Sequence, residues 1–193
     1  MDLRRAYAET VWPGQWTIFG LQLRPLSLGH ALLLRRLGLE DKDTDQTLQA
    51  IWLCHHDWRK ASQIAFRSLS IRGQLWLHSR LVWAYLRPNL ALQECLAWSE
   101  YLQESWSVPQ LTTSGNGSAA GAPDLLQLKV LLQGSLGYRH AEAMGMPVAQ
   151  AIWECAAYSE SQGGCTFKTD YDETLEKLAD RMRKGELMPD AFN

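Results

Sequence analysis

The segment Ile71-Arg-Gly-Gln-Leu-Trp-Leu-His-Ser-Arg-Leu-Val-Trp-Ala-Tyr-Leu86, followed by Arg87-Pro88, decides the fold class. Ile71, Leu75, Val82 and Leu86 recur at the spacing of one helical face, not with the alternation of a strand. That face is expected to point inward. Pro88 stops the helix, because its ring blocks continuation, and pre-sets the first turn of the next one. In that second helix Leu92, Cys95, Leu96, Ser99 and Leu102 form a stripe also read as inward. The helical pattern runs from Lys60 to Trp106.

Working toward the N-terminus, Asp43 with Gln46 resembles a capping box opening a helix that contains Leu48, Ile51, Trp52 and His55. Ser27 caps a short helix, Leu28 to Leu37, that ends at Gly38. Before it, Ile18, Phe19, Leu21 and Leu23 are β-rich and partly alternating, interrupted by Gly20 and stopped by Pro25, which reads as one short strand or a hairpin.

Toward the C-terminus the texture changes. Thr112 to Pro123 holds no large apolar side chain, so it cannot bury enough surface to offset its ordering entropy and reads as a flexible Gly/Ser/Ala linker. Beyond it, Asp124 opens a helix with Leu125, Leu128, Leu132 and Leu136 on one face, closed by Gly137. A short helix runs from Arg139 to Met144. Pro147 starts another, with Val148, Ile152, Cys155 and Ala156 inward, ended by Gly163 and Gly164. Asp170 with Glu173 caps a last amphipathic helix bearing Tyr171, Leu175, Leu178 and Met182, and residues 185–193 read as a loose tail. The expected fold is therefore mainly α, in two helical parts. These are a Trp-rich domain at 1–111 with a short β segment and a helical module at 124–193, joined by the linker at 112–123.

The composition is that of an ordinary globular chain: 193 residues, 46% hydrophobic and 21% charged, with a formal net charge of −2. With no basic excess to neutralise phosphates, nucleic-acid binding is not expected. A run of apolar residues long enough for a signal peptide or a membrane span is not found, and Cys54, Cys95, Cys155 and Cys165 form no CxxC pair. These features predict a soluble intracellular protein with reduced thiols.

Chemical motifs are weak throughout. Gly115-x-Gly117-x-x-Ala120 loosely matches a dinucleotide fingerprint but lacks the preceding strand and immediate helix that would make it one. Cys54-His55-His56, with His78, lacks ligand spacing, since adjacent helical residues point about 100° apart. The pairs Asp43/Asp45 and Asp170/Asp172 flank helix starts, where negative charge offsets the helix dipole. No catalytic, cofactor or metal residues are assigned.

Nine tryptophans are the unusual figure. Trp52, Trp58, Trp76, Trp83, Trp98 and Trp106 fall in the N-terminal part. Trp76, Trp83 and Trp98 lie beside the stripes read as inward. Two readings follow: an exposed aromatic groove for a partner helix, or a Trp-rich core filling gaps between short helices.

The stretch Leu136-Gly-Tyr-Arg-His-Ala-Glu-Ala-Met-Gly-Met-Pro-Val-Ala-Gln-Ala-Ile-Trp-Glu-Cys-Ala-Ala-Tyr-Ser-Glu160 resembles a module of tail assembly chaperones from long-tailed bacteriophages and prophages. Gly20-Leu-Gln-Leu-Arg-Pro-Leu-Ser-Leu-Gly-His-Ala-Leu-Leu-Leu34 is similar to the start of several such proteins. Together they cover about 40 of the 193 residues. The resemblance implies a non-enzymatic protein of the bacterial host cytoplasm. Its expected role is to bind the hydrophobic, helical tape measure protein and keep it soluble while the tail tube forms. Tail tube protein is the second implied partner. A structural phage component, such as a head–tail connector or minor tail protein, is the alternative. On this reading Trp76, Trp83 and Trp98, with Trp153 and Tyr158 of the resembling module, are the candidate protein-binding residues.

Overall fold

A computed structural model describes residues 15–39, 44–67, 70–106, 108–109, 111–113, 124–167 and 183. Among these the chain is mostly helical, with a small antiparallel hairpin near the N-terminus. The predicted linker residues 114–123, Asp43, the helix predicted from Asp170 and the tail at 185–193 lie outside the described residues.

The hairpin pairs β1 (Trp16–Ile18) with β2 (Leu21–Leu23), Ile18 opposite Leu21. Its two-residue turn is Phe19-Gly20, with φ of 49° and 75°. Two positive φ values match the right-handed twist of the strands, and Gly20 accepts one without cost. Phe19 is unusual there. It is held by burial and by its amide, which donates to Glu94 Oε2 at 2.7 Å.

Eight helices follow among the described residues: α1 (Leu28–Leu37), α2 (Thr44–His55), α3 (Trp58–Phe66), α4 (Ile71–Leu86), α5 (Pro88–Ser105), α6 (Asp124–Gly134), α7 (His140–Gly145) and α8 (Val148–Ser161). Local chemistry sets most boundaries. Ser27 Oγ accepts from the His30 amide, and Gly38 closes α1 at φ 65°. The Asp57 carboxylate accepts from the Arg59 and Lys60 amides at the start of α3. Ser70 caps α4, so the helical run expected from Lys60 is interrupted there, and Pro88 opens α5 after Arg87 alone. The helix expected to close at Gly137 ends at Gly134, and Gly137 takes a left-handed φ three residues later.

Helix α1 is the hub, touching α2 and α3 as well as α6, α7 and α8. Leu28, Leu48, Ile51, Leu125, Leu132 and Val148 belong to one buried cluster, so the two helical parts share a core. Their closest junction is a reciprocal backbone pair. The Leu28 amide donates to the Met146 carbonyl at 2.9 Å, and the Val148 amide to the Leu26 carbonyl at 2.8 Å. Each bond satisfies the first free N–H of a helix from the loop preceding the other. A second antiparallel pair joins β3 (Leu111–Thr113) to β4 (Cys165–Phe167), Thr112 opposite Thr166. Thr112 and Thr113, at the start of the expected linker, thus lie in a strand.

The structure corrects the α4 stripe read as inward, and the α5 stripe at Leu92, Leu96 and Ser99, while Cys95 and Leu102 of the latter do pack against the core. Ile71, Leu75, Val82 and Leu86 of α4 are 52–77% exposed, and Leu92 and Leu96 of α5 also face solvent. Gly73 and Leu77 of α4, and Ala91, Trp98 and Tyr101 of α5, are the buried residues instead. The cause is that α4 is apolar on both sides. Its 3.6-residue period proves a helix, while its two tryptophans, with more area to bury, take the core side and Tyr85 stays outside.

Candidate functional site

The tryptophans singled out in the sequence serve the core. Trp83 stands edge-on to Phe19, with ring centroids 5.8 Å apart, and Trp76 packs against Trp52 at 5.2 Å. Trp98 is 7% exposed and stacks on Tyr101, whose hydroxyl donates to the Arg24 carbonyl at 2.9 Å. Trp153 is buried and stacks on Phe167, with centroids 5.6 Å apart, and Tyr158 is half-buried on α8. Trp76 and Trp83 line the inner side of α4, whereas Trp153 and Tyr158 sit on α8. The five residues therefore do not form one groove. Trp98 does wall an apolar cleft of about 350 Å³ with Leu26, Leu34, Leu102 and Trp106, between α1 and α5.

The buried polar residues among those described are Ser27 and His30. His30 is buried at the α1 N-terminus. Its Nε2–H donates to the His56 carbonyl at 3.0 Å, and its Nδ1 accepts from Ser27 Oγ at 2.9 Å. Both ring nitrogens are satisfied in the neutral form, and burial lowers the pKa to about 4. Burial pushes the Cys54 thiol up to about 12 and Cys155 to about 11, away from nucleophilic thiolates. Cys54 and its neighbours His55 and His56 make no cation site. The His55 ring bonds the Gln22 carbonyl, and no group of three metal-type donors assembles among the described residues.

The outer side of the α4–α5 pair is where the molecule departs from ordinary surface design. Exposed Ile71, Leu75, Val82 and Leu86 run the length of α4, joined near the turn by Tyr85 and Leu90 and followed on α5 by Leu92 and Leu96. Soluble monomers rarely leave a contiguous apolar patch of more than a few hundred Å² in water. Burying each of the four α4 side chains would gain about 1.5–3 kcal/mol, so the face is costly unless something covers it.

Charge divides between the two helices: α4 carries Arg72 and Arg80 and no acid, whereas α5 carries Glu94, Glu100 and Glu104 and no base. Between Asp57 and Glu94 the chain carries Arg59, Lys60, Arg67, Arg72, Arg80 and Arg87 and no acidic residue. Arg72 and Arg87 are exposed at the two ends of α4. Arg80 is half-buried, its Nε without a partner among the described residues, and its guanidinium reaches back over Gly20. A signal for this site was present in the sequence as that acid-free interval, but composition hides it because the whole chain is near neutral.

No family model, curated protein or solved structure matches this chain. Among the described residues, no helix is long and apolar enough to cross a membrane.

Proposed function

We propose that this protein is a tail assembly chaperone of a long-tailed phage or prophage, acting in the host cytoplasm by binding rather than by catalysis. Its client is the tape measure protein, kept soluble until tail tube subunits enclose it. The observation that carries the reading is the solvent-facing apolar row Ile71, Leu75, Val82 and Leu86, a surface suited to a hydrophobic helix. The resemblance supports it in a second way. The two stretches that carry it, 20–34 and 136–160, are distant in sequence yet meet at the reciprocal Leu28–Met146 and Val148–Leu26 bonds, as parts of one unit would.

The test is co-expression with the long tape-measure-like protein encoded near this chain, measuring how much of that partner stays soluble. A soluble, co-purifying complex is expected, with the chain absent from finished particles. Precipitation to the same extent with and without the chain would overturn the reading. Retention in purified particles would favour a structural component instead.

A further inference from the structure

We infer that the outer face of α4 is the docking site for an acidic amphipathic helix, which lays its apolar side along Ile71, Leu75, Val82 and Leu86 and its carboxylates against Arg72 and Arg87. The inference rests on the binding role proposed above and names the chemistry of the bound segment. The row has helical period and spans a 16-residue element, roughly 24 Å at 1.5 Å per residue, which calls for a partner helix of about four turns. Ridges of one helix seat in the grooves of another at this spacing.

Charge selects the occupant. With no acid on α4 or at the turn that follows it, and with Arg72 and Arg87 exposed at its two ends, a basic or neutral helix would leave those cations uncompensated while an acidic one pairs them. A second copy packed through α4 fits poorly, because the antiparallel two-fold contact would set Arg72 of each copy against Arg87 of the other. A membrane surface fits less well than a helix. Interfacial helices turn Trp or Phe toward lipid, whereas Trp76 and Trp83 face the core here.

The experiment uses the full chain and two fluorescent 18-residue peptides. One carries Leu at helical i, i+4, i+7 and i+11 with Glu on the flanks; the other has Lys in place of Glu. Fluorescence anisotropy at low salt is expected to give at least tenfold tighter binding of the Glu peptide, weakening as salt rises. Val82→Glu should reduce that binding at least tenfold with an unchanged melting temperature. The pair Arg72→Glu and Arg87→Glu should reverse the peptide preference, which a fold-damaged protein could not do. Equal binding of the two peptides, or none, overturns the inference. So does Val82-dependent binding to vesicles containing phosphatidylglycerol that exceeds binding to the Glu peptide. Self-association of the chain that Val82→Glu abolishes, seen by sedimentation, overturns it too. The chaperone reading fails separately. If the tape-measure-like partner stays soluble with the wild type and equally with Val82→Glu, that reading stands and this site is wrong. If the partner precipitates while the Glu peptide binds, the site stands and the reading fails.

Discussion

The ring of Trp83 stands edge-on to Phe19, centroids 5.8 Å apart and planes at 81°, and this contact turns α4 so that its neighbour Val82 faces water. One residue step along a helix is about 100°, enough to separate a core position from a docking position. The pair therefore predicts opposite outcomes for adjacent substitutions. Trp83→Ala should destabilise the fold by about 3 kcal/mol, since it removes a large packed ring. Val82→Glu should shift stability by no more than about 0.5 kcal/mol. Urea unfolding of both variants checks this, and equal losses would place Val82 in the core.

Phe19 itself sits in the left-handed region, a conformation that costs of order 1–3 kcal/mol for a bulky residue and must be held from outside. The Glu94 carboxylate accepting its amide is one such hold. Glu94→Ala should cost about 2 kcal/mol, the range for a charge-assisted bond whose buried donor is left unsatisfied. Amide exchange at Phe19 should rise in the same variant. Unchanged protection would mean that burial under Trp83 suffices.

Gly29 lies where α1 meets α3 and α7. A Cβ there would come 2.9 Å from the Met144 carbonyl oxygen and 3.0 Å from Trp58 Cβ, and the first of these neighbours is backbone. Gly29→Ala should lower stability by about 2 kcal/mol through overpacking, read as a drop in melting temperature. Gly38→Ala is the contrast. Space is open around it, and its cost comes from its left-handed φ of 65° alone.

Stability should also fall in mild acid. His30 has a pKa of about 4 in the folded chain against 6.5 as its ordinary value, because burial disfavours the imidazolium. The unfolded chain therefore binds a proton that the folded chain refuses. Stability is fully present above pH 6.5, falls as pH drops toward 4 and levels off below it, by on the order of 3 kcal/mol in all. His56 is lowered to about 4 as well, mainly by burial and then by Lys60, and adds in the same direction. Denaturant midpoints at pH 7, 5.5 and 4 measure the slope, which His30→Gln should flatten. A slope unchanged in that variant would assign the effect elsewhere.

Helix ends were readable from the residues because they are local chemistry. Ser27 and Gly38 bracket α1, Pro88 divides α4 from α5, and Gly163 stands at positive φ just past α8. The mainly α class was equally legible, and so was a short β segment broken at Gly20, since period and punctuation act within a few residues. The residues leave one strand or a hairpin open there, and the Ile18–Leu21 pairing decides it. Four further choices were made only in three dimensions. These are the junction of Leu28 with Met146, the pairing of Leu111–Thr113 with Cys165–Phe167, the burial of His30, and the direction in which α4 and α5 point. The first three join residues far apart in the chain, which a local pattern does not encode. The last was undecidable from α4 because both of its faces are apolar. Competition for a core of limited volume settled it: Trp76 and Trp83 took the interior, and the aliphatic row between Ile71 and Leu86 was left outside with Tyr85.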